Sequence, residues 1–182
     1  MSFRVVVEGP DGGGKTTLIR QLVERTGIWV AERASDSAQG PIDNIGEYID
    51  NDLLHHDREP LIYDRYPLIS ELVYGPTIRG YMKFNPEEVL DVKWLIDRLD
   101  LFHHSFPVLI YCLPPWHCVS ENVHSSKNEQ MWGVKLNIRR IYELYIALYA
   151  RDAAAGLRVH HWDYTQPGNL DVIIRDIKVE LG

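Results

Sequence analysis

Eight residues near the amino terminus, Gly9-Pro10-Asp11-Gly12-Gly13-Gly14-Lys15-Thr16, fit the pattern G-x-x-x-x-G-K-[ST]. Glycines carry no Cβ, so the backbone can curl until several N–H groups converge on phosphate oxygens. A helix beginning just behind the loop adds the positive end of its dipole. In such a loop Lys15 reaches the β- and γ-phosphates, and the Thr16 hydroxyl can ligate Mg2+. A glycine turn with a purely structural role is the alternative. The context argues against it, because a buried strand is expected just before the loop and an amphipathic helix just after. Gly9, Asp11, Gly12, Gly13, Gly14, Lys15, Thr16 and Thr17 are therefore the candidate residues for a nucleoside triphosphate, with ATP and Mg2+ as the implied ligands.

A second group of chemically capable residues ends another apolar run: Asp64-Arg65-Tyr66. If its strand neighbours the one before the loop, Asp64 lies beside the phosphates. There it can hold the water shell of Mg2+ or accept a proton from a hydroxyl; a strand-ending carboxylate cap is the plainer reading. Arg65 can clamp a phosphate through two parallel N–H bonds. Glu8, just before the loop, is either a second carboxylate near the metal or acceptor, or the partner of a nearby arginine. Arg139 and Arg140 open a later helix and can reach a transferring phosphoryl group, as can Lys127 or Lys135; Arg140 is the one assigned a catalytic role. Arg33 and Arg79 are candidates for holding an acceptor. The pairs His55-His56, His103-His104 and His160-His161 are poor chelators, because adjacent residues point in different directions.

The elements that must carry these residues alternate between strand-like and helix-like. Apolar runs at Phe3 to Val7, Ile28 to Ala31, Pro60 to Asp64, Val108 to Leu113 and Leu157 to Trp162 read as five strands. Near-continuous apolar runs suit a parallel sheet covered on both faces. Helical spacing links Leu18, Leu22 and Val23, with Gly27 as a stop. It also links Ile42, Ile45, Ile49 and Leu53. Asn85-Pro86-Glu87-Glu88 has the residues of a helix start, followed by an expected buried stripe of Val89, Val92, Ile96 and Leu99. Val134, Ile138, Ile141, Tyr145 and Leu148 mark a long amphipathic helix, with the Tyr142, Tyr145 and Tyr149 rings packing on its face. Leu170, Ile173, Ile177 and Leu181 mark the closing one. From 116 to 133 the apolar period vanishes, and a stretch of this kind in a compact domain is expected to form a functional lid.

The chain has 182 residues, 45% of them hydrophobic and 25% charged, which suits a single globular domain spanning 1–182. No run approaches the length of a membrane span, and no signal-peptide pattern follows Met1, so neither membrane nor export is expected. Two cysteines, Cys112 and Cys118, make no disulfide framework and suit a cytoplasmic setting. A net charge of −7 gives little attraction to nucleic acid without a local basic track.

With these residues in place a resemblance becomes visible. Glu8-Gly9-Pro10-Asp11-Gly12-Gly13-Gly14-Lys15-Thr16-Thr17 resembles the E-G-x-D-G-x-G-K-T-T of thymidylate kinases, a narrower pattern than the general loop. Asp64-Arg65-Tyr66 is similar to that family's D-R-aromatic signature, and Ser70 and Tyr74 to its S…Y stretch, one residue further on. The chain departs from the family elsewhere. Glu32-Arg33-Ala34-Ser35-Asp36-Ser37 stands for T-R-E-P-G-G, and Tyr111-Cys112-Leu113-Pro114-Pro115-Trp116 lacks the carboxylate of L-D-x-P-P-E. The stretch Ser125 to Trp132 lacks the lid arginines, and Arg139-Arg140 with Tyr145 only partly matches R-x-R-x-x-Y. A divergent, phage-type relative fits this mixture.

The resemblance implies a P-loop NTPase fold of the α/β class, a five-stranded parallel sheet flanked by helices. It implies transfer of the ATP γ-phosphoryl group to a deoxynucleoside monophosphate, with Lys15, Asp64, Arg65 and Arg140 catalytic and Thr16 and Asp64 at the metal. It also implies contact of Asp11 with the acceptor's sugar, adenine near Tyr164-Thr165-Gln166-Pro167, small-molecule nucleotides as partners, and a homodimer as a further possibility. Two other readings remain open. One is a kinase acting on a hydroxyl of a deoxynucleoside or of a modified base in DNA, with Asp64 as base. The other is a nucleotide-binding module without turnover.

Overall fold

Three inner strands, largely buried on both faces, pair side by side, and a more exposed strand flanks them at each edge. In a computed structural model describing residues 3–31, 35–36, 40–41, 43–54, 59–84, 92–105, 108–126, 133–166 and 168–182, β1 (Arg4–Glu8) lies at the centre. β2 (Trp29–Val30) follows α1 (Lys15–Thr26), and β3 (Ser35–Asp36) and β4 (Gly40–Pro41) form a separate antiparallel pair. Then come α2 (Ile45–Leu54), β5 (Leu61–Asp64), α3 (Pro67–Tyr74), α4 (Val92–Ser105), β6 (Val108–Cys112), α5 (Trp116–Ser125), α6 (Val134–Ala154), β7 (Val159–Trp162) and α7 (Asn169–Leu181). The main sheet runs β2-β5-β1-β6-β7, and each neighbouring pair is parallel.

Successive side chains of a strand face opposite ways, and β1 shows what that does here. Val5 and Val7 join Leu18, Leu22, Ile173 and Ile177 in the layer under α1 and α7. Val6 joins Ile49, Tyr66, Phe102, Ile141 and Tyr145 in the layer under α2 to α6. The domain is therefore doubly wound, with helices covering both faces of the sheet. Arg4, the charged exception in β1, is 1% exposed and donates to the Asp52 carboxylate (3.3 Å) and to its main-chain carbonyl (2.9 Å). The Tyr63 and Tyr66 hydroxyls donate to the same carboxylate, at 2.7 and 3.1 Å. Burying an ion pair this deeply is tolerable because hydrogen bonds surround the anion.

Two sequence expectations change. On α4 the buried side is Leu95 and Phe102, with Leu99 packed against the core. Val92 and Ile96 are 58% and 59% exposed. The helical period holds there but its phase is shifted, because Leu95, Leu99 and Phe102 form an equally good stripe. The second change concerns the stretch expected to be a lid from 116 to 133. Its first ten residues are the helix α5, anchored through buried Val119 and Val123. Trp116, Val119 and Val123 do fall at i, i+3 and i+7, but a stripe of three apolar residues in ten, between Pro114-Pro115 and a polar run, is short enough to read as loop. Asn85 to Asp91 and Lys127 to Trp132 lie outside the described residues. Among the described residues no helix is long and apolar enough to cross a membrane.

Candidate active site

The central position of β1 brings three strand ends together at the carboxyl edge, where ligands bind in open α/β sheets. Val7 is in register with Asp64 on β5 and with Ile110 on β6. The loop from Gly9 to Gly14 leaves β1 at this edge and enters α1, whose cap residue Gly14 is left-handed (φ 87°) and offers no side-chain cap. The first-turn N–H groups of α1 are thus left for an anion.

The glycines are demanded by neighbours as well as by curvature. A Cβ on Gly12 (φ 76°) would stand 2.9 Å from the Val119 carbonyl oxygen of α5. On Gly14 it would stand 2.8 Å from the Tyr164 ring and 2.9 Å from the buried Trp162 indole. Asn122 on α5 donates to the Gly12 carbonyl (2.9 Å) and to the Tyr164 hydroxyl (3.0 Å). The loop is therefore clamped between α5 and the residues after β7. The uncapped N–H groups at the start of α1, behind a glycine loop held in this way, fit the phosphates of a nucleotide, and Thr16 stands exposed on the first turn beside it.

Lys15 lies across its own loop, donating to the carbonyls of Gly9 (3.0 Å) and Pro10 (2.8 Å). Its ammonium pKa is pushed down by burial and by the Arg65 charge, against the opposing pull of Asp11 and Asp64. Asp64 is half-buried at the end of β5 and acts on Lys15 electrostatically, as the register between β1 and β5 requires.

Arg65 adopts φ 69°, a left-handed conformation that costs a side-chain-bearing residue about 1–2 kcal/mol. Its backbone N–H donates to the Val7 carbonyl (2.9 Å), which locks that turn against β1. The guanidinium Nη2 donates to Asp11 (3.0 Å) and the Tyr74 hydroxyl (2.6 Å), and the guanidinium carbon lies 4.6 Å from the Tyr74 ring centre. Tyr74 in turn donates to the other Asp11 oxygen (2.9 Å). Burial alone would raise the Asp11 carboxyl, but Arg65 and Lys15 outweigh it and hold the group at about 2. Asp11, Arg65 and Tyr74 thus form one charged cluster beside the loop.

Glu8 is fully buried and is not paired with an arginine by hydrogen bonding. The Tyr66 backbone N–H donates to one of its oxygens (2.7 Å) and the Tyr145 hydroxyl to the other (3.0 Å). Burial pushes its pKa up to about 7, although Tyr66, Arg65, Tyr145 and Lys15 all favour the anion. In the folded state Glu8 therefore keeps a proton that the unfolded chain, with its ordinary value of 4.5, releases. Its favourable contribution is complete below pH 4.5 and is lost as pH rises through 7. Glu8→Gln keeps an acceptor for the Tyr66 N–H and cannot ionise. It is expected to gain about 3 kcal/mol relative to the parent between pH 4.5 and pH 8. Urea melts of both proteins at the two pH values check this; a pH-independent difference would contradict it.

Other sequence candidates are not drawn into the cluster. Arg140 is exposed on α6 and, among the described residues, makes no hydrogen bond or ion pair. Arg139 donates to Glu143 (2.6 Å) and lies 4.8 Å over the Trp116 ring, and Lys135 donates to the Ser126 carbonyl (3.4 Å). Ser70 donates only to the Tyr66 carbonyl (3.0 Å). Arg33, Lys127 and Pro167 lie outside the described residues. Asn122 carries no signal in the sequence, because it lies where the apolar period is weak, while Tyr145 and Tyr164, named above, gain roles as hydrogen-bond partners of Glu8 and Asn122. No local pattern could have revealed them.

No family model and no curated protein matches the sequence. Solved structures do match. The YorR protein of Bacillus subtilis, solved in complex with phosphorylated GDP, aligns with a TM-score of 0.65 at 20% identity, over 98% of this chain and 95% of that one. Deoxyadenosine kinase from M. mycoides, solved with the products dCMP and dCDP, aligns with a TM-score of 0.58 at 13% identity, over 97% and 99%. The same enzyme with dATP gives 0.53 at 11%, over 96% and 98%. Identities this low speak for shared architecture, and the chain has the α/β fold of the P-loop kinases.

Proposed function

We propose that this chain transfers the γ-phosphoryl group of ATP to a deoxynucleoside monophosphate. The observation that carries this reading is Arg65. It is held in a left-handed turn beside the phosphate loop, and its Nε is buried without a hydrogen-bond partner among the described residues. A buried, unpaired guanidinium N–H is costly, and an incoming phosphate is the acceptor best suited to it.

In this mechanism the loop N–H groups and Lys15 hold the β- and γ-phosphates, with Lys15 exchanging the carbonyls of Gly9 and Pro10 for phosphate oxygens. Thr16 and Asp64 would hold Mg2+, which when bound supplies charge neutralisation. Arg65 orients the acceptor phosphate. An oxygen of that phosphate attacks Pγ, the bond from Pγ to the bridging oxygen breaks, and ADP leaves with the electron pair. The acceptor's second ionisation lies near a pKa of about 6, so no base is needed. Glu8 could not supply one, since both its oxygens are occupied inside the protein.

A second reading draws on the deoxyadenosine kinase likeness, which covers nearly the whole of both chains. In it the acceptor is a nucleoside hydroxyl and Asp64 takes its proton. Transfer of labelled phosphate from ATP, measured across nucleosides and their monophosphates, separates the two. Turnover on monophosphates alone supports the first reading, and preference for nucleosides overturns it.

A further inference from the structure

α3 does not end at Tyr74 but runs on into a π-helical turn, Gly75–Arg79, closed by Gly80 in a left-handed conformation (φ 83°). Turns of this kind are rare and are found mostly at functional sites. This one gathers three buried polar atoms that have no hydrogen-bond partner among the described residues: Thr77 Oγ1, Arg79 Nε and Arg79 Nη1. Native interiors fill such positions, because a buried donor left unmatched costs free energy.

Arg79 is not a loosely held side chain. Its third nitrogen, Nη2, donates to Glu71 Oε1, and the Tyr81 ring centre lies 5.7 Å from its guanidinium carbon. Glu71 is itself 3% exposed and receives the Lys83 backbone N–H at 2.6 Å. The charge of Arg79 is therefore already met, while two of its nitrogens still have hydrogens to give. This combination suits a neutral hydrogen-bond acceptor.

The place of these donors says which neutral group they meet. Glu71 and Tyr74 stand three apart on α3 and so share a face, separated by about 4.5 Å along the axis. Tyr74 is the residue that touches both Asp11 and Arg65. Arg79, held by Glu71, is thereby tied to the same helix whose Tyr74 contacts Arg65 and Asp11. On the other side the π turn packs against the start of α6, where Ile78 lies under Gly133.

We propose that Thr77 and Arg79 read the base of the acceptor nucleotide. Arginine has no acceptor atom, so Arg79 selects a base edge that presents carbonyl oxygens or unprotonated ring nitrogens, with the Thr77 hydroxyl adding one more contact. The proposal rests on the monophosphate-kinase reading above.

Two variants of the full-length protein test it. Arg79→Lys keeps a cation opposite Glu71 but removes the two unmatched nitrogens. Thr77→Val keeps shape and leaves the Glu71 pair untouched, so it stands even if the lysine variant folds poorly. Each is expected to raise KM for the best monophosphate acceptor about tenfold, the loss of one or two hydrogen bonds, with kcat and the KM for ATP unchanged. Transfer to the base-free sugar phosphate should be equal in parent and variants. An unchanged nucleotide KM in both variants overturns the assignment, as does an equal loss on the base-free acceptor. A parent protein that phosphorylates no monophosphate at all removes the underlying reading together with this one, whereas an active parent with indifferent variants removes this one alone.

Discussion

Replacing Lys15 with alanine is expected to slow phosphoryl transfer by a factor of about 10²–10³, the usual cost of removing one donor aimed at charge that develops in the transition state. In the proposed mechanism the ammonium leaves the loop carbonyls for the phosphates, so the loss should appear in kcat. Stability without nucleotide should hardly change. The variant gives up two hydrogen bonds, to Gly9 and Pro10, but also relieves a buried cation whose pKa is already pushed down by burial and by Arg65. The stabilisation that ATP confers on the parent should shrink, because binding to the folded state alone raises the melting temperature. Transfer assays and thermal melts with and without ATP check both halves. Activity within a few-fold of the parent would remove Lys15 from the phosphate site.

Arg65→Ala should weaken binding of a monophosphate acceptor by about 2–5 kcal/mol, toward the lower end because the side chain is one-fifth exposed and partly wet. ATP affinity should stay close to that of the parent. The same substitution removes the cation that does most to keep Asp11 ionised, so the Asp11 carboxyl should titrate above its present value of about 2. Asp64→Asn, in contrast, should lower turnover through the metal, with no rescue at higher pH. For a hydroxyl acceptor the order of severity reverses, since Asn cannot take the proton and Arg65 has no phosphate to hold. Acceptor KM and kcat for both variants, on a nucleoside and on its monophosphate, distinguish these outcomes. A dispensable Arg65 would end the monophosphate reading.

The parts of this molecule that were legible in sequence are those whose constraint is local. The phosphate loop is one contiguous string, and the inner strands β1, β5 and β6 announce themselves because burial on both faces leaves little room for polar residues. Asp64 and Arg65 could be placed because they end such a strand next to β1. What stayed hidden depends on partners far apart in the chain. The hydrogen bond from Tyr145 to Glu8 spans 137 residues, and the one from Asn122 to Gly12 spans 110. The helix α5 is hidden for another reason: its apolar stripe is just Trp116, Val119 and Val123, and its polar surface reads as loop. On α4 the period was right and the phase was wrong, since packing against α2 and the sheet chooses among several apolar stripes. Arg79 could be named as a candidate, but its pairing with Glu71 and its unmatched nitrogens exist only once α3 has run on into the π turn.

The close approach of Trp162 to Gly14 gives the protein an optical reporter of its own. That indole is buried and rests against the hinge between the phosphate loop and α1, so its emission should follow whether the loop is filled. Trp29, at the outer edge of the sheet and 73% exposed, faces water instead and contributes a red-shifted background. Exchanging Trp29, Trp94, Trp116 and Trp132 for phenylalanine would therefore leave Trp162 as the reporter, and nucleotide occupancy could be followed in real time with no label attached.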